Sequence, residues 1–573
     1  MTQYIYVLRK ALGNSGYIET IPRRGYRFTA PVKQWGEEDA DLVVHEQSRT
    51  SIILEEQYEA TETPAERPWL APARSRLRSV PASLAIAVTF ILAASLLAAA
   101  YYVRRPEDLQ RGVTPVRSLA VLPLRPIGES GGHEYLGLGL ADALITKMSR
   151  LRRTVVRPTS AVRKYADPQV TAEKAGRELG VDAVLEGTVQ LSGDRVRVNI
   201  QLVRVAGAAS IWADQFDVPL NNVFSLEDSI TAHVTQILSL QLSTDDRRLL
   251  AGRPTTNADA YNFYLQGRYF WNRRTEAGVT KALEYFQKAI QLDPLFAQAY
   301  VGLADCHLFG IPRLPAKALG AKAKAMAQKA LAIDDDLPEA HATLGLIAEN
   351  FDLDWAEAER EYRRAIELNP NFATAHHWYG EYLSLLGRFD EAIVELRLAG
   401  DLDPLSVAIL KDIGRAYYCA RHYDLAEKFL RQALEIDPRS LGAQTDLGLV
   451  YAQTGQFSAA IAELQKAKQL EDGPEVWTEI GYVQAISGNR REAERTLGAL
   501  HALSKRRYVS PLAWAYVYAG LREKSKALDW LEKSFREGAL LTGLKVDPHF
   551  DSLRDEPRFA DLQKRVGLAS DSL

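Results

Sequence analysis

Few side chains in this 573-residue chain stand at spacings that support catalysis or metal binding. His376 and His377 are adjacent, so on a helix they point about 100° apart and cannot chelate one ion as an i, i+4 pair could. The two cysteines, Cys306 and Cys419, exclude a disulfide framework and a multi-cysteine metal cluster, and we interpret both as packing residues. No Ser/His/Asp, HExxH or protein-kinase set occurs at a usable spacing. The sequence therefore predicts no enzyme, no catalytic residue, no metal site and no cofactor.

One glycine-rich stretch is a candidate phosphate-binding loop. Gly137 and Gly139 begin a GxGxxG pattern, but Asp142 stands where the third glycine belongs, and GxxxxGK[ST] is absent. We interpret the stretch as a loop and helix entry.

Basic side chains are concentrated in the first 33 residues, which hold six of them against one acid, Glu19. The next 33 residues hold ten acids and only Arg49. Because the whole chain has a formal net charge of −3, any nucleic-acid surface must be local, and this basic segment is the candidate. The acidic stretch that follows is typical of a self-repelling linker.

The basic segment has the pattern of a helix followed by a hairpin. Ile5, Leu8 and Leu12 have helical spacing, and residues 13–16 (GNSG) end that helix. Two short β-prone runs, 17–21 and 26–32, are joined by residues 22–25 (PRRG), which predicts a hairpin.

The strings TQYIYVLRKALG and YIETIPRRGYRF, at this spacing, resemble the closing part of the winged helix-turn-helix of OmpR/CadC/ToxR-type regulators. The resemblance implies a recognition helix in the major groove and a basic wing at the phosphates or the minor groove. The alternative is a solvated basic hairpin without a DNA role. The strands and first two helices of that domain have no counterpart, so we expect the reading frame to begin upstream of Met1. The implied DNA-contacting residues are Thr2, Gln3, Arg9, Lys10, Arg23, Arg24 and Arg27.

Residues 115–245 alternate between β-prone and helical runs, which predicts a small α/β domain without catalytic function. The strings SLAVLPL, LEGTVQLSGDRVRVNIQLV and IWADQFD are similar to the TolB-N-terminal-like domain of many CadC-type regulators.

The sequence repeats from about residue 258, with a small residue recurring at intervals of 41, 35, 34, 34, 34, 33 and 34. This period resembles that of the tetratricopeptide repeat (TPR) and predicts eight helix pairs. Small residues let paired helices approach closely. The recurring positions are Ala282, Ala323, Ala358, Ala392, Ala426, Ala460, Ala493 and Ala527.

A TPR stack presents a concave groove for a protein or peptide partner. The family resemblance implies that first-helix positions line it, and Lys411 and Arg415, at i and i+4, would suit an acidic partner segment. The alternative is a solvated helix face. The implied groove residues are His377, Glu381, Lys411, Arg415 and Tyr418.

The stretch 79–103 lacks charged side chains, and its apolar part, Pro81 to Val103, would span about 35 Å as a helix. It predicts one transmembrane helix. Because a DNA-reading N-terminus must face the cytoplasm, the repeats are expected to lie in the periplasm, with the chain a single-pass protein of the inner membrane.

The predicted fold class is therefore multidomain: a partial winged helix, one transmembrane helix, a small α/β domain and an all-α TPR solenoid. This order resembles membrane-bound one-component transcription regulators of the CadC/ToxR type, which implies promoter DNA, a groove-bound protein and a second copy of the chain as partners. The alternatives are a membrane-anchored TPR scaffold with no DNA role, and an enzyme-linked signalling protein such as a cyclase. The predicted segments are 1–33 (winged-helix part), 34–78 (linker), 79–103 (span), 115–245 (α/β), 258–540 (repeats) and 541–573 (C-terminal cap).

Overall fold

A computed structural model describes residues 18–21, 25–28, 116–128, 135–151, 154–167, 169–238, 243–273, 275–309, 316–538 and 541–568. The chain forms two compact units, Met1–Pro106 and Glu107–Leu573.

The first unit contains an antiparallel hairpin of strands β1 (Ile18–Ile21) and β2 (Gly25–Phe28). Its register places Glu19 opposite Arg27. The hairpin predicted for this segment is thus present. Residues 1–17 and 22–24, with the other six predicted DNA-contacting residues, lie outside the described residues.

The second unit begins with a six-stranded mixed sheet of strands β3 (Ser118–Val121), β4 (Arg125–Pro126), β5 (Val155–Val156), β6 (Ala183–Ser192), β7 (Arg195–Arg204) and β8 (Ala209–Pro219). The strand order is β5-β3-β6-β7-β8, with β4 also pairing with β6. The long strands β6, β7 and β8 form an antiparallel meander, whereas β3 runs parallel to β5 and β6. Gly193, at a φ of +63°, makes the tight turn between β6 and β7, a backbone conformation that favours glycine.

Helices cover this sheet and lead to the solenoid, and they are α1 (Tyr135–Ser149), α2 (Thr159–Val162), α3 (Ala172–Leu179), α4 (Val223–Ile237) and α5 (Thr244–Ala251). The glycine-rich stretch packs α1 closely. A Cβ on Gly137 would lie 2.1 Å from the carbonyl oxygen of Leu124, and one on Gly139 would lie 3.3 Å from Leu265 Cβ. These two glycines therefore allow α1 to pack closely against Leu124 and Leu265.

Eight helix pairs follow within the described residues, and each buries the small residue predicted from the 34-residue period. The pairs are α6 (Ala258–Asn272) and α7 (Glu276–Leu292); α8 (Ala297–Phe309) and α9 (Ala316–Ile333); α10 (Pro338–Ile347) and α11 (Trp355–Leu368); α12 (Ala373–Leu385) and α13 (Phe389–Leu402); α14 (Val407–Cys419) and α15 (Tyr423–Ile436); α16 (Leu441–Gln453) and α17 (Phe457–Leu470); α18 (Pro474–Ile486) and α19 (Arg490–Ser504); α20 (Pro511–Gly520) and α21 (Lys524–Arg536).

The α/β domain is fixed to the early repeats by polar contacts. Asp142 on α1 is buried and pairs with Arg268 on α6 at 2.6 Å. Asn371, between α11 and α12, donates to the carbonyl oxygens of Ser149 and Leu151 at 3.3 and 3.0 Å. Arg157 donates to the carbonyl oxygen of Leu402 at 3.0 Å. These contacts hold the domain against helices α6 and α13 and the connection between α11 and α12 of the solenoid.

The C-terminal segment turns back onto the repeats. It consists of two 3-10 helices (Thr542–Lys545 and Pro548–Leu553) and α22 (Pro557–Arg565). Phe550 and Phe559 are buried in one cluster with Trp355, whose Nε1 donates to the carbonyl oxygen of Val566 at 2.8 Å. The segment is therefore part of the hydrophobic core.

Among the helices of the described ranges, none combines the length and apolar character that a bilayer crossing requires. This finding corrects the predicted fold class, which included one transmembrane helix, and the predicted single-pass location in the inner membrane. The prediction was wrong because it took the apolar length of residues 79–103 as sufficient; that stretch lies outside the described residues. The supported fold is mainly helical, with a TPR-like solenoid.

Substitution of two helical glycines by alanine tests the close packing. A Cβ on Gly414 would lie 2.7 Å from Leu430 Cγ, whereas one on Gly498 would meet nothing within 4 Å. We expect Gly414→Ala to lower the free energy of unfolding by about 1–3 kcal/mol, because the overpacked pair must separate. Gly498→Ala should raise it by up to about 1 kcal/mol through helix propensity. Urea unfolding followed by circular dichroism measures both, and equal effects would contradict the packing role.

Candidate partner-binding groove

The predicted groove residues lie on the first helices of neighbouring repeats, where α12 meets α14. His377 Nε2 lies 2.8 Å from Asp412 Oδ2 and 3.6 Å from Glu381 Oε2. Lys411 Nζ contacts the other oxygen of Asp412 at 2.6 Å. The structure therefore brings three predicted residues together around Asp412, which the sequence analysis missed.

The trio His377, Glu381 and Asp412 is the one group in the described ranges whose ligand atoms, all within 4.8 Å of one another, could surround a metal ion. Burial disfavours the charged form of His377, but Glu381 and Asp412 outweigh it and raise the pKa of the ring. Lys411 Nζ already pairs with Asp412, so a metal ion at this trio would have to displace an ammonium group. The contacts therefore favour a charge network over a metal centre.

Arg415, which was predicted to suit an acidic partner segment, contacts two carboxylates of its own chain. Its guanidinium contacts Asp446 at 3.1 Å and Asp547, in the C-terminal segment, at 3.0 Å. The guanidinium also lies 5.2 Å from the ring centre of Tyr418. Arg415 and Tyr418 thus already contact other residues of the same chain.

His549 is the most enclosed ionisable group of the C-terminal segment. Its ring nitrogens contact Asp547 at 2.6 Å and Glu479 at 2.8 Å, and its ring lies between Tyr482 and Tyr516, with centroid distances of 4.0 and 4.2 Å. Burial disfavours the charged ring, but the two carboxylates outweigh it and raise the pKa of His549 to about 10. The protonated His549 ring therefore links the C-terminal segment to α18, through Glu479 and Tyr482, and to α20, through Tyr516.

A cavity of about 410 Å³ remains between these first helices and the C-terminal segment. Burial and the charge of Asp412 raise the pKa of Glu381 to about 7, and burial raises that of Glu349 to about 8. The lining therefore combines these two carboxyl groups, of which Glu349 is largely protonated at neutral pH, with the ion-paired side chains of Asp412, Asp446, Asp547, Lys411 and Arg415.

A second groove cavity, of about 590 Å³, lies where the α/β domain covers the concave face of the first five repeats. Trp271, Phe309 and Trp378 line it, and the rings of Phe309 and Trp378 stack with centroids 5.8 Å apart. Asp403 also lines it and accepts a 2.6 Å hydrogen bond from Ser160. The concave face is therefore covered at both ends by other parts of the same chain.

The remaining sequence candidates have structural roles. His376 contacts Glu395 at 2.6 Å and the carbonyl oxygen of Pro370 at 3.0 Å, away from the partner of His377. Neither Cys306 nor Cys419 forms a disulfide bond, and both are buried, as expected of packing residues.

Replacement of His549 by glutamine tests the ion pairs that His549 forms with Asp547 and Glu479. The contribution of a histidine with a raised pKa is fully present below its unfolded pKa of about 6.5 and is lost as pH rises through the folded pKa. We expect His549→Gln to cost about 3 kcal/mol of unfolding free energy near about pH 6.5, because it breaks a buried ion pair. The difference from the native chain should shrink toward about pH 9.5. Urea unfolding at several pH values measures this effect.

The matched control for this test is His501→Gln, because His501 is exposed on α19. Its unfolding free energy should follow the native chain at every pH. If His549→Gln lowers the unfolding free energy by the same amount from neutral to alkaline pH, the role of the charged His549 ring is contradicted.

Comparison with known families connects the α/β domain and the repeats to described proteins. Residues 116–233 match the family described as "HilA/YgeH-like transcriptional regulator, second domain". Residues 361–394 and 420–478 match tetratricopeptide repeat families, which confirms the predicted repeats. The resemblance of residues 1–33 to a winged helix stays a prediction.

Two curated proteins are similar over part of the chain. The transcriptional regulator HilA of Salmonella typhimurium is 25% identical over 298 residues, which cover 51% of this chain and 52% of that protein. A putative adenylate cyclase 3 of Rhizobium meliloti is 28% identical over 237 residues, 40% of each chain. The chain spans about half the length of these relatives or less. Among solved structures, pilF of Pseudomonas aeruginosa is 19% identical, with 38% of this chain and 94% of that chain covered and a TM-score of 0.31.

Proposed function

We propose that this chain is a non-enzymatic transcription regulator that contacts DNA through its N-terminal basic segment and a protein partner through its solenoid. The match of residues 116–233 to a domain of HilA/YgeH-like transcriptional regulators carries the proposal. The TPR repeats, which commonly bind proteins, support the partner role.

The DNA contact is assigned to the N-terminal hairpin and the helix predicted before it. Arg27 lies on β2, and Arg23 and Arg24 stand in the connection between β1 and β2. Arginine and lysine side chains at such a wing neutralise phosphates, and Thr2, Gln3, Arg9 and Lys10 are the proposed contacts of the preceding helix. Two copies of the chain would read paired half-sites.

The partner contact is assigned to the 410 Å³ cavity, with different chemistry from the sequence-based expectation. Arg415 already binds Asp446 and Asp547, so an acidic partner would have to compete with internal carboxylates. Glu381 and Lys411 keep 40% and 31% of their side chains exposed. Because Glu381 is the more exposed of these two side chains and its ion pair with His377 is long, at 3.6 Å, the proposed partner segment presents a basic side chain beside Glu381.

Selection of DNA fragments by the full chain, followed by fluorescence anisotropy on an enriched fragment, tests the DNA role. We expect Arg23→Ala/Arg24→Ala to weaken binding and to reduce the slope of log affinity against log salt by about two, because two phosphate contacts are lost. The matched control is Arg195→Ala/Arg197→Ala, which removes two arginines from the exposed face of another hairpin, where they pair with Asp217. This control should leave the slope unchanged.

The second candidate function is a TPR scaffold without DNA binding, which the groove alone would support. Failure of the full chain to enrich any DNA sequence, or equal slopes for the two double variants, would reject the DNA role and favour the scaffold.

A further inference from the structure

Strand β8 forms one edge of the six-stranded sheet, and among the described residues no strand lies on its outer side. It is 11 residues long, Ala209–Pro219, and pairs with β7 along its length. Its side chains at Ala213, Asp214, Gln215 and Asp217 are exposed. An edge strand of this length offers unpaired backbone groups to another strand.

The hydrogen bonds around β8 show which of its backbone groups point outward. In an antiparallel strand, successive residues direct their N–H and C=O groups to opposite sides. The N–H group of Gln215 donates to Asp214 Oδ1 at 2.8 Å and not to β7. Leu220, just after the strand, donates at 2.7 Å to the carbonyl oxygen of the residue before β7. The even-numbered residues therefore pair with β7, and the backbone groups of Ala213, Gln215 and Asp217 point away from it.

Side chains of the same copy contact two of these outward groups. Besides the bond from the N–H group of Gln215 to Asp214, the carbonyl oxygen of Asp217 accepts a 2.8 Å hydrogen bond from Arg195. A carbonyl oxygen has a second lone pair, so this acceptor can also serve a neighbouring strand. A second strand would replace only the contact between Gln215 and Asp214.

A second copy of β8 satisfies this edge when a two-fold axis passes beside Gln215. Gln215 then lies opposite Gln215 of the second copy, and Ala213 lies opposite Asp217. All of these residues point their backbone groups outward, so each opposite pair exchanges N–H to C=O hydrogen bonds.

The same register brings compatible side chains together. Trp212 lies opposite Val218 of the second copy, an aromatic and β-branched pair of the kind that stabilises adjacent strands. Asp214 lies opposite Phe216, so neither aspartate of the strand faces a carboxylate of the second copy.

The neighbouring registers are less favourable. An axis at Asp214 or at Asp217 places two carboxylates directly opposite each other. An axis at Phe216 places Pro219 opposite Ala213, and proline has no N–H group to donate. An axis at Ala213 brings in the start of β8, where its register with β7 shifts.

We propose that two copies of this chain associate through β8, which pairs antiparallel with itself about Gln215 and continues the sheet from one copy into the other. Pairing of a single strand buries little surface, which is typical of weak interfaces, so we expect a dissociation constant in the micromolar range. The interface deepens the proposed function by naming the surface that joins the two DNA-reading copies. Its test uses no DNA, so either proposal can fail without the other.

Sedimentation velocity of the full chain across the micromolar range tests the interface. The native chain should pass from monomer to dimer as its concentration rises. We expect Gln215→Lys and Gln215→Glu each to weaken the dimer at least about tenfold, because a residue on the axis meets its own copy and like charges then oppose each other. An equimolar mixture of the two variants should restore association, because opposite charges then meet.

The matched control is Asn199→Lys, on the neighbouring strand β7. Asn199 is exposed and lies opposite Gln215 on the same face of the sheet, but β8 separates it from the proposed interface. This variant should dimerise as the native chain does.

A further variant, Gln215→Pro, separates pairing from folding. It removes an N–H group that β7 does not use, so circular dichroism should be unchanged while the dimer is lost. A native chain that stays monomeric, or self-association that Gln215→Lys leaves unchanged, would overturn the proposal. So would a lysine and glutamate mixture that associates no better than each variant alone.

Discussion

Other parts of the same chain cover much of the concave face of the solenoid, and the polar contacts of the second unit follow from that covering. Helix pairs bury their core only between neighbours, so a stack of them leaves an extended inner surface. Here the α/β domain covers the first repeats through Asn371 and the Asp142–Arg268 ion pair. The C-terminal segment covers the later repeats with Phe550 and Phe559. What remains accessible on the inside is a set of partly open cavities with defined linings.

Buried charges at these covering contacts are paired, and each pair joins parts of the chain that are far apart in sequence. Arg415 is 132 residues from Asp547, and Arg268 is 126 residues from Asp142. Removing one partner would leave an uncompensated charge in the interior, which costs far more than an exposed ion pair contributes. These ion pairs therefore determine which surface of the solenoid the α/β domain and the C-terminal segment each cover. Their main role is this specificity and not a net gain in the free energy of unfolding.

The sequence could predict features that repeat or lie close together. The period of small residues identified the helix pairs, because each alanine meets a neighbouring helix within the same unit, and the PRRG connection identified the hairpin. The sequence could not predict that the chain's own C-terminal segment lies against the groove, since no sequence feature near Arg415 identifies Asp547 as the ion-pair partner of Arg415. The repeat period could have identified Asp412: it lies 35 residues after His377, close to the 34-residue period that places equivalent positions of neighbouring repeats side by side. Hydropathy alone led to the wrong fold class for the membrane segment.

The contact between Trp355 and Val566 changes how this solenoid is expected to fold. In an open repeat array, contacts are local and folding can begin at any repeat and propagate to its neighbours. A hydrogen bond across 211 residues, set in a core cluster shared by α11, α12, α20 and the C-terminal segment, closes the last six helix pairs into a loop. The intermediate repeats must then be in place before the last segment can dock, so the chain gains cooperativity and loses the repeat-by-repeat fraying of an open solenoid.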